Sequence, residues 1–211
     1  MRFGIPTMLE ISHPTVTVQV SEETAANYIG EMYDAYCVSN RDKRLMNRAV
    51  DEVIATNQLL IKRLKDEIDV QYTTDDPYSG HEEMFDDIAA NDRIKIFSGG
   101  THPWYMGSME KSAKQNNIEN RAIHDYFGHY KNNVGFNFWG EFQKWHHMRK
   151  HYSRQANRAL FNEVAGQTGL VNYLEGGFDN DDYCQKAFLA PEQWIEYCYE
   201  HCPHSLSGGK W

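Results

Sequence analysis

The chain contains no run of about 18 apolar residues, the length a membrane-crossing helix needs, so no spanning segment is expected. It has only 4 cysteines (Cys37, Cys184, Cys198, Cys202), too few for a disulfide scaffold in 211 residues. The opening Met1-Arg2-Phe3-Gly4-Ile5-Pro6-Thr7 lacks the apolar stretch of a signal peptide. Together these absences predict a cytoplasmic protein with reduced thiols. Basic residues are also scarce, with 21 Lys and Arg against 30 Asp and Glu. A net charge of −9 disfavours a broad nucleic-acid groove, which needs clustered cations. There is no internal repeat, low-complexity tract or dividing linker, so a single domain over residues 1–211 is expected. What is plentiful is apolar and aromatic: 41% hydrophobic residues, with 13 Tyr, 10 Phe and 5 Trp. That supports a real core and argues against disorder.

The periodicity predicts a mainly α fold, α+β in detail, with packed helices and a small β element near the N-terminus. Thr15 to Val20 alternates strictly and reads as a strand, with Val16, Val18 and Val20 on one face. Ser21 followed by Glu22 and Glu23 opens a helix whose apolar stripe is Tyr28, Ile29, Met32, Tyr33 and Tyr36. Asn40 reads as the cap of a long amphipathic helix to about Asp69, with Leu45, Ala49, Val53, Leu60, Ile61, Leu64 and Ile68 at helical spacing. It is first a packing element, and second a surface for a homo-oligomer. Ser79 with Glu82 predicts a capping box for a short helix through Ala90, after a loop from Thr73 to Gly80. Arg93 to Phe97 reads as a second strand ended by Gly99-Gly100, and Thr101 to Gln115 as an irregular cover or lid. Helices follow from about Asn117 to Tyr130 and from about Phe138 to Thr168, the latter breaking near Tyr152-Ser153. A last helix starts at Pro191, a residue at home in a first helical turn.

The chemistry concentrates in the region from about 117 to 169. Asn120-Arg121-Ala122-Ile123-His124-Asp125-Tyr126-Phe127-Gly128-His129 carries two imidazoles around a carboxylate, with Glu141 and Glu163 downstream. Two histidines and one carboxylate are the ligand set that leaves positions of an octahedral Fe(II) open to substrate and oxygen. On a regular helix, residues five apart point about 140° away from each other. His124 and His129 can share a metal only if the helix ends or loosens near Gly128, whereas Asp125 and His129 share a face without distortion. Both pairings stay open at this level.

His124-Asp125-Tyr126-Phe127-Gly128-His129 resembles the His-Glu-x-x-Gly-His motif of the pterin-dependent aromatic amino acid hydroxylases. Glu163, within Leu160 to Gly166, resembles the later Glu of that family, and the likeness covers roughly Asn120 to Gly169. It implies iron held by His124, His129 and Glu163. The family's Glu after the first His is Asp125 here, and Ile118-Glu119-Asn120-Arg121 stands where the family has Pro-Glu-Pro-Asp. These departures speak against tetrahydropterin and an aromatic amino acid substrate while leaving the metal triad. The chain also resembles bacteriophage proteins with an Arg-Ala-x-His-Asp-x-Phe-Gly-His motif, a later Gly-Glu and a terminal Glu-x-x-Gly-Gln. Here these are Arg121 to His129, Gly140-Glu141, and Glu163 to Gln167.

The expected function is therefore a mononuclear non-haem Fe(II) oxygenase or hydroxylase acting on a small molecule. Asp125 would orient a ligand histidine, Arg121 would pair with a carboxylate, and Glu141, with Trp145 and Met148 on its face, would act as an acid beside the metal. The alternatives are a zinc- or manganese-dependent hydrolase with Glu141 as base, and a phage accessory protein in which these groups only tie helices together. His147 and His151 form a competing pair. Lys144, Arg149, Lys150 and Arg154 around them read as a solvated basic face. The tail Cys198 to His204 matches no common zinc-finger spacing, and Trp139, Trp145 and Tyr126 read as core.

Overall fold

Helices dominate because amphipathic stretches with well-formed caps fill most of the chain. The computed structural model describes residues 20–100 and 110–203. The predicted strand at 15–20 falls almost wholly outside them, as do His204 and residues 101–109 of the irregular cover predicted from Thr101 to Gln115; the remainder of that cover is helical instead. Helix α1 is Glu22–Ala35, capped by Ser21, whose side chain accepts from the Thr24 amide. Helix α2 is Asn40–Glu67, and its cap is Ser39 rather than Asn40: the Asp42 amide donates to the Ser39 hydroxyl and the Ser39 amide to the Asp42 carboxylate in a capping box. At 28 residues α2 is about 42 Å long. Its N-terminal half packs in one apolar cluster with α1 and the C-terminal helices, its C-terminal half in a second with the sheet.

Strand β1, Asp69–Thr73, follows where the helix was expected to run on to Asp69. It pairs in parallel with β2, Arg93–Phe97, in register Asp69 to Arg93. Helix α3, His81–Asn91, makes the crossover that a parallel pair requires. Its cap position is Gly80, and Ser79 instead bonds Glu83 through its amide and hydroxyl. The expected box with Glu82 is thus displaced by one residue. The small β element accordingly lies in the middle of the described chain.

Helix α4 is Glu110–Ile123, α5 Phe138–Met148, α6 Arg154–Phe161, α7 Gln167–Tyr173 and α8 Glu192–His201. The break predicted near Tyr152-Ser153 is present, with Ser153 capping α6. Helices α1 and α7 approach closely where Gly30 meets Gly169. A Cβ at Gly30 would lie 2.2 Å from the Gly169 carbonyl oxygen. Trp139, Trp145 and Tyr126 are core, as expected. No helix among the described residues is long and apolar enough to cross a membrane.

Two outcomes test this packing. Gly30→Ala should cost about 1–3 kcal/mol in urea denaturation, because the backbone opposite cannot yield as a side chain can; an unchanged midpoint would contradict the close approach. Asp87 joins α3 to β2 through Arg93 (3.0 Å) and Lys95 (3.5 Å). The Arg93 hydrogen bond, helped by Tyr78 and Asn91, holds its carboxyl down to about 2 against an ordinary 3.8. A depressed folded-state value stabilises at pH above the ordinary one and is lost as pH falls towards 2. Asp87→Asn should cost about 1 kcal/mol at neutral pH, and that gap should close between pH 4 and 2; a gap independent of pH would assign the effect to packing.

Candidate metal centre

The helix carrying His124 does not end at Gly128; it widens. His124–His129 is a π-helical segment, in which each amide bonds the carbonyl five residues back and residues five apart come into line. The Tyr130 amide donates to the Asp125 and Tyr126 carbonyls. Asn132 closes the turn, its side-chain amide donating to the carbonyls of Phe127 (2.7 Å) and Gly128 (2.9 Å). Asn133, left-handed at φ 52°, then ends the helix. This widening aligns the two histidines that a regular helix would hold about 140° apart. Their Nε2 atoms lie 2.9 Å apart.

Glu141 reaches the same point from the first turn of α5, which Asn137 caps by accepting from the Gly140 amide at 3.0 Å. Its Oε1 lies 3.3 Å from His129 Nε2 and 3.5 Å from His124 Nε2. Among the described residues these three side chains form a group able to hold a metal ion, with all ligand atoms within 4.8 Å of one another. Two atoms each about 2.1 Å from one ion are about 3.0 Å apart at right angles and about 3.4 Å apart in a tetrahedron. The observed separations match that range. Glu141 Oε2 is buried without a hydrogen-bond partner, as a carboxylate awaiting a ligand would be.

The hydrogen bonds fix the tautomers. His129 is 0% exposed, and its Nδ1 lies 3.1 Å from the Val134 carbonyl, which can only accept. The ring proton therefore sits on Nδ1 and the Nε2 lone pair faces the cluster, the orientation metal-binding histidines adopt. His124 Nδ1 lies 2.6 Å from Lys144 Nζ. With Lys144 protonated, Nδ1 accepts and His124 donates from Nε2 to His129. Ligation through His124 Nε2 as a neutral imidazole requires the other tautomer, in which Lys144 passes a proton to Nδ1, the Nε2 proton is released to solvent and neutral Lys144 accepts from Nδ1. Burial and the adjacent Lys144 hold His124 down to about 3, so it is neutral at physiological pH. Burial lowers Lys144 as well. Burial alone would raise Glu141; a proton on either neighbouring imidazole would instead draw its carboxyl well below the ordinary value.

Lys144 corrects the sequence reading most sharply. Expected on a solvated basic face, it is 5% exposed and stands behind His124. Gly128 makes room for it: a Cβ there would lie 2.5 Å from Lys144 Cγ and 2.9 Å from Cε. The pairing of Lys144 with Gly128 across two helices leaves no trace in local sequence periodicity.

The other expected residues are near but differently engaged. Glu163 lies on a second π-helical segment, Asn162–Gly166, and lines a cavity of about 480 Å³ with Arg121, His124, Asp125, Phe97 and Phe136. It stands outside the compact three-residue group. The carboxylate nearest both imidazoles is Glu141, in the position sequence reasoning gave to Glu163. Burial pushes Glu163 up to about 7 and Asp125 up to about 6. Among the described residues Asp125 makes no hydrogen bond to a histidine or arginine; Val134 and Lys144 hold the two imidazole rings instead. Arg121 Nη1 donates to the Phe97 (2.9 Å) and Gly99 (2.7 Å) carbonyls, tying α4 to the end of β2. His147 is half-buried and His151 exposed, and neither joins a metal-binding group among the described residues. Cys198 is buried and Cys202 half-buried, neither in a disulfide. A larger cavity, of about 590 Å³, lies between Val20–Glu22 and Asn133–Gln143, and the cluster side chains do not line it.

Gly128→Ala tests the arrangement, since the new methyl must move the Lys144 stem off His124. Imidazole ¹⁵N spectra should show His124 changing its Nδ1 environment while His151 keeps its own. An unchanged His124 would mean that Lys144 does not set its tautomer.

Compared with protein-family models, curated proteins and solved structures, the chain finds no match, so the reading of this centre rests on its own residues.

Proposed function

We propose that the protein is a mononuclear non-haem Fe(II) oxygenase or hydroxylase of a small molecule, with His124, His129 and Glu141 as the iron ligands. The observation that carries this reading is the π-helical turn that brings two imidazole Nε2 atoms to 2.9 Å beside a buried carboxylate. Helices widened in this way occur frequently at functional sites. Two neutral imidazoles and one carboxylate leave a divalent ion with net charge of about +1 and several open positions, which suits redox chemistry on exogenous ligands. The chain's own residues do the rest. Val134 and Lys144 set the ring orientations, Phe136 stands edge-on to His129 at 4.8 Å and shields it, and Glu163 and Asp125 offer carboxyl groups to whatever enters the cavity.

A zinc- or manganese-dependent hydrolase is the second reading. It is favoured by Glu163, half-buried with one shielded carboxyl oxygen and held near neutrality beside the cluster, and so suited to general-base work. In that case the base is Glu163, because Glu141 occupies a ligand position. The phage resemblance admits a third outcome, an accessory protein without metal.

Anaerobic Fe(II) titration of protein purified without metal-affinity columns separates these readings, together with elemental analysis. Iron supports the oxygenase, zinc or manganese the hydrolase, and neither the accessory role. His129→Ala and Glu141→Gln should each weaken Fe(II) binding by more than the ~10–100-fold that losing a supporting hydrogen bond costs. His151→Ala should leave binding unchanged. Binding lost in Glu163→Gln but kept in Glu141→Gln would return the third ligand position to Glu163.

A further inference from the structure

The cavity beside the cluster has an uneven distribution of engaged and free charge. Neither of its two cationic side chains pairs with the cavity's inner carboxyl groups among the described residues. Arg121 donates to two backbone carbonyls and lies over the Phe97 ring at 5.3 Å, and Lys95 Nζ is 3.5 Å from Asp87. Its inner carboxyl groups are not committed. Asp125 and Glu163 line the cavity with neither a hydrogen bond nor an ion pair among the described residues, and Glu163 Oε2 is shielded from solvent without a partner. An unpartnered carboxyl group in such a place is costly unless a ligand supplies donors. Apolar walls complete the cavity: Phe97, Phe136 and Met84. Phe136 is 38% exposed although it sits against His81 and His129, so its outer face remains open to a guest.

We infer that this cavity binds a small organic ammonium compound with an aromatic or apolar body, the nitrogen directed at Glu163 and Asp125 and the body between Phe97 and Phe136. The inference rests on the proposed centre only for where the ligand would react. A carboxylate-bearing ligand is the disfavoured class, because the groups without a partner facing the cavity are carboxyl groups. At about 480 Å³ the cavity is within the range of small-molecule sites.

Benzylamine, benzyl alcohol and benzoate are suitable probes, alike in size and differing in charge. Each is titrated into the metal-free full chain and followed by the NMR signals of Phe97, Phe136 and Asp125. Benzylamine should perturb these signals, and benzyl alcohol should bind about tenfold more weakly or worse. Glu163→Gln should weaken benzylamine about tenfold, Asp125→Asn serving as the second variant, while His151→Ala leaves it unchanged. Benzoate binding more tightly than benzylamine would overturn the inference, as would equal binding of the alcohol or no binding of any probe. Because the titration contains no metal, its failure is separate from failure of Fe(II) binding, and each result stands without the other.

Discussion

The site depends on one widened helical turn. Had His124–His129 continued as a regular α-helix, the two imidazoles would diverge and Glu141 would meet only one of them. The π-helical segment sacrifices regular hydrogen bonding for alignment, and nearby residues recover what it gives up. Asn132 satisfies the loosened carbonyls, the His129 backbone and ring both pair with Val134, and Gly128 lets Lys144 cross the turn. The rest of the fold holds the turn in register. Asn57 on α2 donates to Asn120 on α4 at 3.0 Å and accepts from the Tyr152 hydroxyl at 2.7 Å, a buried polar link between the turn's own helix and the start of α6.

Buried charge is the second organising constraint. Glu141 and Lys144 are both more than nine-tenths buried, and isolated buried ions are prohibitively costly. They are tolerable here because His124 lies between them, accepting from one and facing the other. Such a half-satisfied network stabilises poorly, and Glu141 Oε2 remains without a partner. Polar groups kept under these conditions are better explained by chemistry at the site than by folding stability.

Much of this was legible in the sequence. Helical periodicity and caps located the starts of α1, α2, α6 and α8 to within a residue or two, and the mainly α class with a small β element followed from them. Strand β1 was missed because Asp69-Val70-Gln71-Tyr72-Thr73 is partly exposed and carries no clean alternation; its pairing with β2 supplies what its pattern does not. The His124–His129 spacing pointed to a loosened helix at Gly128, and the structure shows a π turn there rather than a helix end. Glu141 could not be ranked above Glu163 from sequence, because their distances to the histidines depend on how α5 and the Asn162–Gly166 segment pack on the turn. Lys144 was the least legible, since its burial is decided by a glycine on another helix.

Anomalous diffraction from crystals of the iron-loaded protein, collected on either side of the iron absorption edge, tests the central claim most directly. The account predicts a single iron peak between His124 Nε2, His129 Nε2 and Glu141 Oε1, with His129 Nδ1 still on the Val134 carbonyl. A peak at His147 and His151, or a turn at 124–129 that reverts to regular α-helix with the histidines apart, would contradict it.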